Sequence, residues 1–77
     1  SIGANIREGL HSQSKAEFLA KLQISIKEAN ETLYWLELLY ETDYITKEMY
    51  NSIYPECVEL AKLLTSIIKT TKANHKL

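Results

Sequence analysis

The sequence predicts an all-α protein, and three observations carry that prediction. Apolar residues recur at steps of three and four along two long stretches, the spacing of a helix with one face turned inward. Helix-start residues, Ser14 and Thr46, stand at the head of each stretch. Two glycines and one proline in 77 residues leave too little punctuation for the many turns of a β-rich fold.

Each element follows from its residues. Residues 1–9, SIGANIREG, read as a short helical piece with Ile2 and Ile6 on one face and Gly9 as its C-cap, because glycine tolerates the left-handed conformation there. His11 to Gln13 form the connection. At Ser14-Lys15-Ala16-Glu17 the serine oxygen is placed to accept from the amide of Glu17, and Glu17 to reach back, the capping-box arrangement. The helix that follows has a main stripe of Phe18, Leu22, Ile26, Ala29, Leu33, Leu36 and Tyr40, a heptad rhythm suited to near-parallel packing. On its far side Ile24, Trp35, Leu38 and Leu39 lie among Glu28 and Glu31. An apolar patch mixed with carboxylates has the character of an interface, with Trp35 as anchor.

This helix is expected to end near Glu41–Asp43. Thr46 caps the next one, and Ile45 is placed to pack on Tyr50 as a hydrophobic staple. So short a link implies an antiparallel pair. The last helix carries two apolar stripes side by side: Met49, Ile53, Cys57, Leu60, Leu64 and Ile67, then Tyr50, Tyr54, Val58, Ala61, Thr65 and Ile68. A helix with so wide an apolar surface needs partners on more than one side. Pro55 falls within this pattern and removes the hydrogen bond to the carbonyl of Asn51. The stripe continues in register beyond it, which predicts a kink; the alternative is two helices, with Pro55 near the start of the second.

Length allows one small domain, spanning 1–77, and below about 80 residues a single core is marginal, so that oligomerisation is a common remedy. The lone Cys57 argues against a disulfide framework and fits a reducing compartment. No run of eighteen apolar residues is present and the first residues lack a secretory pattern, which leads to an expectation of a cytoplasmic protein without membrane contact. The chain starts at Ser1, and residues preceding it are expected. Net charge is −1, unevenly spread: +2 over residues 1–27, −7 over 28–59 and +4 over 60–77. The basic end, with Lys62, Lys69, Lys72 and Lys76, suits the negative pole of a helix dipole and also offers a contact for a phosphate backbone.

Catalytic chemistry is poorly provided. A dinuclear metal centre in a helical bundle needs inward Glu-x-x-His pairs; neither His11 nor His75 follows a glutamate at that spacing, and Glu28 and Glu31 lie opposite the main stripe. Cys57 lies within a stripe with no histidine near it in sequence, so it reads as a small hydrophobe. The glycines are isolated and form no phosphate loop. Tyr40, Tyr44, Tyr50 and Tyr54 cluster around the second turn, where they could stack on unpaired bases but at helical spacing read as packing residues. Asn5, Arg7 and Glu8 form either a polar site or a buried hydrogen-bonded group that fixes helix ends and register.

The phrases SIGANIREG, SKAEFLAKLQISIKEANETLYWLELL and LLTSIIKT, in that order, resemble the 23S rRNA-intervening-sequence proteins, also called the S23 family. Ser1, Ile2, Ala4, Asn5, Ile6, Glu8 and Gly9 fit its SI-x-ANI-x-EG signature, whereas Gly3 and Arg7 stand where many members have proline and alanine. The resemblance implies an up-and-down left-handed four-helix bundle, of which this chain covers the end of helix 2 plus helices 3 and 4, and a ring-shaped homopentamer. The family name records a genomic location inside ribosomal RNA genes. Related accessory variability proteins of diversity-generating retroelements are strongly basic, and this chain is slightly acidic. The expected function is a non-enzymatic homo-oligomeric scaffold or adaptor without cofactor, metal or small-molecule substrate, its interface carried by Ile24, Trp35, Leu38, Leu39, Tyr50 and Tyr54. The alternative is an RNA- or ribosome-associated protein using Lys62, Lys69, Lys72 and Lys76.

Overall fold

The computed structural model describes residues 14–74, which form two helices, α1 (Lys15–Glu41) and α2 (Lys47–Ala73). The helical piece read over residues 1–9, the Asn5, Arg7 and Glu8 group, His11, His75 and Lys76 lie outside the described residues. Both predicted caps are present: Ser14 Oγ accepts from the Glu17 amide at 2.9 Å, and Thr46 Oγ1 from the Met49 amide at 3.1 Å. Each satisfies one of the amides that the first turn leaves without an intrahelical acceptor.

α1 stops where the sequence said it would, but by an unusual residue. The Tyr44 amide donates to the Leu39 carbonyl at 2.8 Å and the Asp43 amide to Tyr40 at 3.1 Å. Those two bonds define a Schellman motif, whose turning position is normally glycine. Here it is Asp43, with φ 63°. The Thr42 hydroxyl adds a 2.6 Å bond to the Leu38 carbonyl. α2 then runs through Pro55 without interruption, so the reading of two separate helices is set aside. Pro55 is exposed, on the side where water can serve the Asn51 carbonyl that it leaves unbonded.

The helices are antiparallel. At one end Lys15 Nζ donates to the carbonyls of Asn74 at 2.9 Å and Lys72 at 3.4 Å; at the other Tyr40 stacks on Tyr50 with centroids 4.5 Å apart. The buried cluster between them is Leu22, Ala29, Leu64 and Ile68, with Leu36 buried nearer the turn. Leu22 and Leu64 are 1% and 0% exposed, and such burial is worth about 2 kcal/mol for each.

The seam differs in phase from the predicted stripes. On α1 the fully enclosed position is Ser25, where Ile26 was expected; Ile26 is half-buried at the flank. On α2 the inward line is Tyr50, Tyr54, Cys57, Ala61, Leu64, Ile68 and Thr71, steps of four and three, which runs between the two stripes and takes members from both. Ser25 is small enough for an enclosed position, and its buried hydroxyl is not left unsatisfied. The radius of gyration is 14.8 Å, against roughly 11.5 Å for a compact domain of this length. The extents, 47 × 18 × 14 Å, are those of a long hairpin.

Candidate functional site

Three surfaces carry the features predicted to function. The first is the outer face of α1. Ile24, Glu28, Glu31, Trp35 and Leu38 succeed one another at steps of four and three, a second line opposite the seam. Ile24 and Trp35 are each 55% exposed, and Glu28 and Glu31 stand exposed between them. Leu38 and Leu39 are half-buried. Tyr34, which the sequence reading did not single out, is 59% exposed and meets the Trp35 ring edge-on at 5.5 Å. The pair holds the indole in place, and an aromatic anchor fixed before binding loses less freedom on association.

The second surface is a groove between the helices, of about 490 Å³, floored by Ile26, Leu33, Val58 and Ala61. Lys62 and Lys69 stand on its α2 rim and Asn30 on its α1 side. Lys62 reaches Glu59 across 3.8 Å, both side chains more than 70% exposed, a contact that water and salt weaken. The Thr65 hydroxyl on the same rim is engaged by the Ala61 carbonyl at 2.9 Å. Periodicity could have located this groove: Ile26 and Leu33 lie one helical step beyond the seam, and Lys62 and Lys69 are a heptad apart. Of the four predicted lysines, Lys62 and Lys69 share the groove, Lys72 is exposed near the end of α2, and Lys76 lies outside the described residues.

The third surface is the other side of α2, where Met49 is 47%, Ile53 40% and Leu63 55% exposed beside half-buried Leu60 and Ile67. Only Glu56 interrupts its apolar character. Tyr50 and Tyr54, predicted for an interface, are half-buried at the turn end and form one stack with Tyr40, Tyr50 to Tyr54 being 4.8 Å. The phenol of Tyr50 is held above its ordinary value of 10.0, first by burial and then by the neighbouring Tyr54 hydroxyl, Glu37 and Glu41.

Among the described residues no group of histidine, cysteine, aspartate or glutamate is arranged to hold a metal ion, and no helix is long and apolar enough to cross a membrane. Cys57 is half-buried in the seam. The groove offers apolar floor, ammonium groups and hydroxyls.

The described residues define an all-α protein, two helices packed together with a buried seam and large apolar side chains exposed on both. The chain belongs to the 23S rRNA-intervening sequence protein family, whose sequence model matches residues 1–66. It is similar to a solved structure from Bacteroides thetaiotaomicron, described as a protein of unknown function from the S23 ribosomal protein family, with 62% identity and a TM-score of 0.80 over 88% of this chain. The chain spans 61% of the length of that relative. No curated protein matches it.

Proposed function

We propose that this chain is part of a four-helix bundle that assembles with copies of itself into a non-enzymatic scaffold or adaptor. The observation that carries the reading is the outer face of α1, where Ile24 and Trp35, each 55% exposed, flank two carboxylates. Exposed tryptophan at the centre of an apolar line is an expensive surface unless it is covered. The Met49–Ile67 side of α2, apolar and nearly uncharged, suits the remaining helices of the bundle, and the longer relative supports such a completion. The acid-bearing face of α1 suits another copy, with Ile24, Trp35, Leu38 and Leu39 as its members and Tyr50 and Tyr54 adjoining at the turn. Family likeness favours a pentamer. Light scattering of the intact protein at micromolar concentration tests this: a discrete oligomer is expected, and a stable monomer ends the reading.

A second reading has one observation in its favour, the alignment of Lys62, Lys69 and Lys72 along one flank of α2. An RNA contact through these groups requires affinity that falls steeply with salt. Absence of binding to ribosomal RNA at low ionic strength removes it.

A further inference from the structure

We infer that the Trp35 face of one copy seats in the Lys62–Lys69 groove of the next, so that each subunit offers a ridge on one side and a receptor on another. The inference rests on the oligomeric reading above and specifies which surfaces meet. Shape is the first argument. The Ile24–Leu38 line stands on the convex outside of α1, whereas the groove is a concavity between the helices with an apolar floor. Length is the second: Ile24 to Trp35 and Val58 to Lys69 both span eleven residues, about 16 Å of helix.

Charge decides between possible occupants. The ridge carries Glu28 and Glu31 amid its apolar residues, and the groove carries Lys69 and Lys62, the latter in an exposed 3.8 Å contact with Glu59, beside its apolar floor. Two ridges meeting face to face would oppose four carboxylates, and two grooves would oppose four ammonium groups. Ridge into groove pairs opposite signs while burying apolar area on both sides. A nucleic acid would meet the two lysines but leave Ile26, Leu33 and Val58 without apolar cover. The two patches share no residue, so the contact is heterologous, and a heterologous contact closes into a ring or extends as a filament.

Charge reversal of the intact protein tests the assignment. E28K/E31K and K62E/K69E are each expected to raise the concentration for half-assembly by about tenfold or more at low ionic strength, since like charges then face across the contact. Mixed in equal amounts, the two variants are expected to co-assemble, because the basic ridge of one meets the acidic groove of the other. Circular dichroism of each variant alone establishes that the helices survive. Wild-type protein that is oligomeric while both variants keep its mass overturns the inference and leaves the oligomeric reading standing. The same holds if folded variants dissociate yet show no association with each other on mixing, mixed pairs and short chains being the least that the contact requires. A monomeric wild type overturns both.

Discussion

At the scale of single residues, Asp43 shows how much conformational cost one position absorbs. Its φ of 63° places a Cβ where the following carbonyl crowds it, a cost of about 1 kcal/mol that glycine does not incur. Asp43→Gly is therefore expected to stabilise the hairpin by up to about 1 kcal/mol, and Asp43→Val to destabilise it by at least as much, read from urea midpoints. The sequence located this turn through Thr42–Thr46 but gave no sign that an aspartate would take the left-handed position, because aspartate is equally at home as an ordinary turn residue. Tyr50 holds its proton more tightly in the folded chain than a free phenol does. Its phenol sits above 10.0 in the folded state, so folding favours the neutral form. Stability from the Tyr40–Tyr50–Tyr54 stack is fully present below the ordinary phenol value and is lost as pH rises through the folded one. In a spectrophotometric titration of tyrosinate absorbance, Tyr50→Phe should remove a component that ionises above 10.0; loss of a component at or below that value would contradict the reading.

At the scale of the helix, the legible and the hidden parts separate cleanly. Both caps and the end of α1 at Glu41 were written in local residue types, which act over four residues and require no knowledge of the partner, whereas the continuation of α2 through Pro55 was legible only in the register of the stripe on either side of it. The phase of the seam was not. Ile26 outranks Ser25 on any scale of apolarity, yet Ser25 is enclosed, because a close-packed interior selects for size as well as hydrophobicity. On α2 the real seam threads between two stripes of nearly equal strength, and only the position of α1 chooses among them. Leu64→Ala is expected to cost about 2–5 kcal/mol, through lost burial and a cavity in the cluster. Ser25→Leu, a gain in hydrophobicity, is expected to destabilise by about 1–3 kcal/mol through overpacking, whereas Ile26→Ser should cost less than Leu64→Ala. Thermal or urea unfolding of the three variants checks the order; a stabilising Ser25→Leu would show that the contact is looser than described.

For the whole molecule, the elongated hairpin leaves large apolar side chains exposed on both helices, and the doubled stripes of the sequence announced that surplus. Trp35→Ala/Leu38→Ala is expected to weaken self-association without loss of helix content, measured by light scattering beside circular dichroism, since it removes the anchor but leaves the seam intact. The groove was less legible than the ridge: its floor comes from one helix, its rim from the other, and neither half stands out alone. The clasp of Lys15 on the Lys72 and Asn74 carbonyls has a directional effect on what surrounds the hairpin. Positions 14 and 74 sit side by side at one pole, while the Thr42–Thr46 bend marks the other, some forty-seven ångströms being the full long dimension. In a cyclic arrangement with the hairpins parallel to its axis, the 14/74 pole of every unit would lie on one rim and the tyrosine-rich bends on the other.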